Sequence, residues 1–435
     1  MPWRFILVLA GLSMACSPGN ETGLKTPEDI RTQMREALLD NITPFWYPRC
    51  LDRERGGYHL YFDERGDPGP PGEKMIVTQA RMVWFFSRLA REGYEKPGQF
   101  TRDDLLAAAR HGFEFLRRKM WDFENGGFYW AVDAAGNEVR APNKHLYGQS
   151  FALYALSEYY LASRDEEAME LAVELFDVLE AKAHDARYKG YQEYFAVDWS
   201  EPKPTDHNYM KAPHFDAKLM NTHLHLLEAM TAYYRASRRP EARQRLIELI
   251  GIETEQVVRK DPVACTDKYE RDWTPILENG YDRVSYGHDV ENVWLVADAC
   301  EAAGLDVRRY VPLFEKLWTY SRTHGFDEEQ GGFFSSGPLG RSAENLDKVW
   351  WVQAEALVSA LYMYKLTGDA AYREAFDKTW RFVRERQIDW THGEWHRIIG
   401  PDGRPRGAKG GIWKCAYHNG RAMIECIRLL EELGL

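Results

Sequence analysis

Ten polar residues interrupt segments whose apolar residues otherwise keep a helical period, and each lies in the first half of its segment: Arg81, Tyr147, Asn221, His225, His288, Glu291, Trp351, Glu355, His418 and Arg421. Three histidines carry the chemistry. His288 has Glu291 at i+3, on the same helical face, where a carboxylate orients or polarises the imidazole. His418 and Arg421 share a face in the same way, a base beside a fixed cation. Asn221 and His225, at i and i+4, form the third pair, whereas His223 points elsewhere because i and i+2 diverge on a helix. One such histidine is commonly a packed or capping residue, but several breaks at equivalent depth imply a pocket. Imidazoles near neutral pKa suit reversible proton transfer at carbon. Two bases facing one carbon from opposite sides can remove a proton from one face and return it to the other. An enediolate formed beside a carbonyl would be stabilised by Arg81 or Arg421 and by helix N-termini. Trp294, Trp350 and Trp351 offer flat apolar faces.

Other chemistries find less support. There is no His-Glu-x-x-His or paired-Cys spacing, so no metal is assigned, with His288 and Glu291 the remaining candidates for ligation. The Gly-Gly pairs precede strand-like runs rather than helices, which excludes a phosphate-cradling loop. No Gly-x-Ser-x-Gly elbow is present. Glu291 and Glu355 leave a carboxylate-based glycosidic cleavage open.

The elements that must position these residues form a repeat. Gly with an aromatic, after charged or Asn residues, recurs at Arg55-Gly56-Gly57-Tyr58, Asn125-Gly126-Gly127-Phe128, Gln330-Gly331-Gly332-Phe333 and, degenerately, His392-Gly393-Glu394-Trp395. Weaker copies are expected at Lys189-Gly190-Tyr191 and Lys268-Tyr269-Glu270-Arg271. The spacing leaves room for two helices between cassettes. Apolar periodicity predicts a helix from about Pro27, then segments near 75–92, 103–120, 145–163, 166–183, 214–237, 240–259, 286–303, 306–323, 346–367, 369–388 and 411–433. The odd members are amphipathic and belong outside; the even ones are apolar on more sides and belong inside. The expected fold is therefore all-α: an (α/α)6 barrel of about twelve helices with short β-hairpin-like loops. Its parallel inner helices bring the polar breaks to one end.

Composition fits one large soluble unit: 435 residues, 44% hydrophobic and 14% aromatic, with 15 Trp and 24 Tyr. A net charge of −11 argues against nucleic-acid or anionic-membrane surfaces. Arg4, the apolar run Phe5–Ala10 and Leu12-Ser13-Met14-Ala15-Cys16 read as an export leader (1–16), with Cys16 placed for lipidation. Residues 17–26 read as a tether and 27–435 as a single catalytic domain. This implies an exported protein, periplasmic or membrane-anchored through Cys16. No other stretch is long and apolar enough to span a bilayer. The remaining cysteines (Cys50, Cys265, Cys300, Cys415, Cys426) show no disulfide or metal spacing and read as buried thiols.

Four motifs in order, Met220-Asn221-Thr222-His223-Leu224-His225-Leu226-Leu227-Glu228-Ala229, Tyr286-Gly287-His288-Asp289-Val290-Glu291, Val349-Trp350-Trp351-Val352-Gln353-Ala354-Glu355 and Tyr417-His418-Asn419-Gly420-Arg421-Ala422, resemble the N-acylglucosamine 2-epimerase superfamily, and within it the cellobiose 2-epimerases. The resemblance implies an (α/α)6 barrel and cofactor-free epimerisation at C2 of the reducing-end glucose or mannose of a β-linked disaccharide. It implies His288 and His418 as the acid/base pair and His225 as the group that assists ring opening or holds substrate. Arg81, Tyr147, Asn221, Glu291, Trp351, Glu355 and Arg421 would bind the sugar or support the bases. Cys415-Ala416 departs from the pattern, as does the leader. A mannose-type aldose–ketose isomerase, an (α/α)6 glycoside hydrolase and a surface sugar-binding protein remain alternatives. The expected partner is a small sugar, and the expected state a monomer or weak oligomer.

Overall fold

The computed structural model describes residues 27–435. The leader 1–16 with Cys16 and the tether 17–26 lie outside the described residues. Twelve helices follow in order. α1 covers 27–46 with a π segment at Ala37–Ile42; α2 is Ile76–Arg91; α3 is Arg102–Phe115; α4 is Leu146–Ser163; α5 is Glu166–Lys182; α6 is Met220–Ser237. α7 is Pro240–Gly251, α8 Tyr286–Ala303, α9 Val311–Gly325, α10 Trp350–Thr367, α11 Ala370–Phe382 and α12 Tyr417–Glu432. The even helices form the inner ring of an (α/α)6 barrel and the odd ones its outer layer. The inner helices are buried along nearly their whole length, whereas outer helices such as α5 bury one stripe, Ala168, Leu171, Ala172, Leu175, Phe176 and Leu179.

The two ends of the barrel are built differently. At one end α4, α6, α8 and α10 each stop on a left-handed residue, Arg164, Arg238, Gly304 and Gly368, and the chain turns at once into the next outer helix. The following outer helices α5 and α11 start on Asp165 and Asp369 as side-chain N-caps. At the other end the inner helices have no side-chain cap. Their first N–H groups donate instead to carbonyls of the neighbouring repeat: Ile76 to Trp130, Leu146 to Glu193, Met220 to Asp267 and Trp350 to Arg397. Short strands just before five of the inner helices make the same link, for example Lys144–His145 with Tyr194–Phe195 and Lys218–Leu219 with Lys268–Tyr269. A Phe62–Gly410 bridge joins the first repeat to the last and closes the ring. All long loops therefore gather over the inner-helix N-termini.

Five of the six cassettes are held by a bracket on the fourth residue of the next inner helix; in the last, Glu394 accepts from Trp395 N–H and is itself held by Asn419, the third residue of α12. Gln79, Gln149 and Gln353 each accept from the cassette aromatic's N–H and donate to its carbonyl, at 2.7–2.8 Å. His223 makes the accepting half in the third repeat, taking the Tyr191 N–H on Nε2 at 2.9 Å while Nδ1 pairs with Leu219 O at 2.8 Å. The second glycine of the pair is required by this approach. A Cβ on Gly332 would lie 2.5 Å from Gln353 Oε1, and one on Gly57 2.7 Å from Gln79 Oε1. A buried lysine before the helix locks the turn through an aspartate: Lys74–Asp52, Lys144–Asp122, Lys218–Asp185, Lys348–Asp327 and Lys409–Asp389, at 2.6–3.2 Å.

Two expectations are corrected. The fourth cassette is not at Lys268–Arg271, whose first two residues form a strand, but at Val258–Cys265. There the Val258–Cys265 bridge matches those of the other repeats, and Asp289 accepts from Cys265 N–H. This copy has no glycine, and Arg259 and Val284 replace the aspartate and lysine together. The helices expected from 214 and 411 begin at Met220 and Tyr417, because the preceding residues are drawn into strand pairing and loops.

Gln149→Ala leaves the buried Phe128 amide and carbonyl unpaired. It is expected to cost about 1–3 kcal/mol in urea unfolding; an unchanged midpoint would show that the bracket does not hold the repeat.

Candidate active site

The sixth residues of α2, α4, α6, α8 and α10, and the fifth of α12, form one level: Arg81, Phe151, His225, Glu291, Glu355 and Arg421. Above this level opens a cavity of about 430 Å³. His225, His288, His418, Arg81, Tyr147, Asn221, Glu291 and Trp351 line it, as the sequence suggested. Tyr209, Met210, Lys211, Arg397 and Trp413, from the overlying loops, line it too. They carry no periodic signal, and sequence reasoning missed them.

Glu355, Arg421 and Trp294 do not line the cavity: Glu355 and Arg421, expected to bind the sugar or support the bases, are positioned for support, and Trp294 presents no face to a sugar there. They lie behind the cavity wall, beneath His418 and Trp351. The Arg421 guanidinium donates through Nη2 to Glu291 Oε1 and Glu355 Oε1, both at 2.8 Å, and through Nη1 to Glu228 Oε1 and the Tyr417 hydroxyl. Trp294 lies under that guanidinium, its ring centroid 4.7 Å from Cζ, and its indole N–H donates to Glu355 Oε2 at 3.0 Å. Position explains this: Trp294 is the ninth residue of α8, one turn deeper than Glu291.

The three histidines are held by different means. His225 Nδ1 pairs with Glu228 Oε2 at 3.0 Å. His418 Nδ1 pairs with Glu355 Oε1 at 2.6 Å. Each arrangement directs the other ring nitrogen, Nε2, away from its carboxyl partner. His288 has no polar partner among the described residues and packs on Trp351, whose ring also meets His418, with centroids 4.8 and 5.8 Å apart respectively. Glu228 was missed as a functional group, although its place three residues after His225 was a readable signal.

Burial, more than any charge, lowers all three imidazoles, His288 to about 4 and the other two well below the usual histidine value. They are neutral at pH 7, able to act as bases. Burial also raises Glu291 to about 8, while Glu355 is pushed well above its usual value by burial and then by Glu291. The pair therefore keeps a proton at neutral pH. Glu291 Oε2 is buried with no hydrogen-bond partner among the described residues.

Arg81 is buried without a carboxylate. It donates to Trp413 O at 3.2 Å and to the Tyr147 hydroxyl at 3.1 Å, lies over Phe151, and its Nε is unpartnered. A buried cation paired only with neutral groups is costly unless a ligand brings negative charge. Glu291, Glu355 and His418 have metal-ligand spacing. Arg421 already donates to Glu291 Oε1 and Glu355 Oε1, and a fixed cation in that place repels a divalent ion, so these residues do not fit one.

The N-acylglucosamine 2-epimerase family model matches residues 56–422. The chain is 31% identical over 410 residues to the cellobiose 2-epimerase of Bacteroides fragilis, covering 93% of this chain and all of that one. It is 33% identical over 408 residues to the cellobiose 2-epimerase of Ruminococcus albus, covering 91% and 98%. The structure of cellobiose 2-epimerase from Bacillus thermoamylovorans superposes with a TM-score of 0.83 at 30% identity, over 92% of this chain and 99% of that one. A D-mannose isomerase (TM-score 0.80, 22% identity) and a family 76 glycoside hydrolase (0.61, 9%) share the fold. With a family match over most of its length and with the motif histidines gathered around one cavity, the chain belongs to the N-acylglucosamine 2-epimerase family.

Proposed function

We propose that the protein is a carbohydrate 2-epimerase that interconverts gluco and manno configuration at the reducing end of a β-linked disaccharide such as cellobiose. The observation that carries this is the pair of neutral imidazoles, His288 and His418, both packed on Trp351 on the floor of a cavity that also holds Arg81, a cation with no carboxylate partner among the described residues. Relatives bearing the name cellobiose 2-epimerase along the whole chain support the substrate class.

His225, held by Glu228, handles the hydroxyl proton during ring opening. In the open aldehyde, one imidazole takes the proton from C2, the C2–H electrons form C1=C2, and the carbonyl electrons move onto O1. Arg81 stabilises that oxyanion. The other imidazole delivers a proton to the opposite face of C2, and the electrons on O1 re-form the carbonyl. With His288 as base, His418 gives its Nε2 proton while Nδ1 takes one from Glu355. Afterwards His288 is an imidazolium and Glu355 a carboxylate, so charge balances. The reverse reaction starts from that second state. Glu291 and Glu355 thus serve as the proton store, and Arg421 keeps it at the axis.

Proton NMR with cellobiose in D2O tests the reading. A manno-configured reducing end carrying deuterium at C2, with unreacted cellobiose still protonated early in the time course, is the expected result. Release of free glucose would mean hydrolysis, and a ketose end would mean isomerisation through C1. His288→Ala and His418→Ala should each lower kcat about 10²–10⁴-fold with an unchanged circular dichroism spectrum; near-normal turnover in either removes it from the pair. The pH profile of kcat/KM should have its acid limb well below 6.5, because the depressed histidines stay neutral until low pH. Its alkaline limb should fall near pH 8, where the carboxyl store loses its proton. In Glu291→Gln the neighbouring negative charge that raises Glu355 is gone, so the alkaline limb should move to lower pH; a limb that stays put would refute the store.

A further inference from the structure

The cavity lining has two levels. Its floor comes from the inner helices and holds the residues of the proposed chemistry. Its rim comes from loops and their short strands: Tyr209, Met210 and Lys211 in the excursion between Ser200 and Lys218, Arg397 and Ile398 where the chain after the sixth cassette pairs with Lys348–Val349, and Trp413. Two rim residues, Lys211 and Arg397, are cations, and neither has an ion pair or a side-chain hydrogen bond among the described residues. Neighbouring loop cations do have partners: Lys268 pairs with Asp267 at 2.9 Å, Arg283 with Glu344 at 3.0 Å and Arg406 with Asp402 at 3.0 Å. Arg397 is half-buried, its guanidinium 6.0 Å from the Trp350 ring centre. Lys211 is exposed and held at φ +53°, a left-handed conformation that a side chain adopts at a cost; its N–H is tied to Asn208 O and the preceding carbonyl, Met210 O, to Lys268 Nζ at 3.1 Å. With Arg81 on the floor, three cations face the cavity against one carboxyl, Glu291, in a chain whose net charge is −11. A rim built to grip a neutral sugar would offer hydrogen-bond acceptors as well as donors. This one offers the Tyr209 hydroxyl, two unpaired cations and no carboxylate, a balance weighted towards donors.

We infer that the rim binds a sugar unit carrying an anionic group, a carboxylate or a phosphate, so that the substrate is an acidic disaccharide whose reducing-end sugar reaches the histidines and whose second unit meets Lys211 and Arg397. This rests on the epimerase reading for the floor. Lys211 would supply a mobile ammonium and Arg397 a fixed planar fork, and Trp413 would give the ring a flat apolar face.

Calorimetric titration of the full chain tests this with three probes: cellobiose, glucuronosyl-β-1,4-glucose and cellobiose 6′-phosphate, the phosphate on the non-reducing unit. At least one acidic probe should bind about tenfold or more tightly than cellobiose. The preference should shrink at high salt and collapse in Arg397→Gln and in Lys211→Gln, since both cations would be screened or lost. Which acidic probe binds more tightly identifies the anion. Equal or tighter binding of cellobiose, or a preference indifferent to both substitutions, overturns the inference. Turnover of the same probes, followed at C2 by NMR, is read separately. If cellobiose is epimerised while the acidic sugars bind no better, only the rim assignment fails. If an acidic sugar binds preferentially and nothing is epimerised, the rim assignment stands and the epimerase reading fails.

Discussion

One guanidinium organises the centre of this barrel. Arg421, from the last helix, reaches the axis and meets Glu228, Glu291 and Glu355 from α6, α8 and α10, all in a region closed to water. Buried carboxylates are tolerated only where charge and hydrogen bonding close locally. Four of the six inner helices are thereby fixed relative to one another by a single side chain, and two of the carboxylates pass that order on to His225 and His418. The geometry of the imidazoles is thus inherited from the charge balance beneath them. The residues that would touch substrate hold their places because of residues that do not.

The level itself exists because the six repeats stay in phase. Each bracket on the fourth residue of an inner helix ties that helix to the turn before it, and the sixth residue then falls at a fixed depth. The fourth repeat shows which parts of the device are interchangeable. It has lost the glycine pair, the aspartate and the lysine, yet Asp289 still grips the Cys265 amide. Losing lysine and aspartate together leaves no unpaired buried charge, whereas losing either alone would strand the other.

Much of this was legible in the chain. A helical period survives in every segment because each inner helix must be apolar on several sides, and breaks in that period located the cavity floor. His223 could be set apart from His225 by helical geometry alone, and it is indeed a bracket. What could not be read was whatever depended on contacts between repeats. The apolar residues Phe215, Ala217, Ile412 and Trp413 extended the helical pattern backwards, although neighbouring repeats pull that backbone into strands and loops. The glycine-free cassette at Val258–Cys265 matches the others only in its pairing. Depth misplaced Trp294, since an aromatic on an inner helix looks the same in a pocket wall as in the layer below. The rim residues Tyr209, Lys211 and Arg397 lie in loops whose course is set by the barrel they cross.

The closure of the ring has a temporal side. Asn41 on α1 donates to Asp389 O, Trp46 donates to Glu394, and Gln33 accepts from Trp380, so the first helix is seated by residues more than three hundred positions later. His418 and Arg421 arrive later still. A nascent chain leaving the ribosome can therefore stack its hairpins one by one, but the first hairpin waits with an open flank until the last is made. A product cut short before α12 lacks the axis cation along with a base, and its three central glutamates face one another uncompensated. Synthesis that stops early yields no half-active enzyme, because the final helix delivers the ring's seal and the centre of its chemistry in one step.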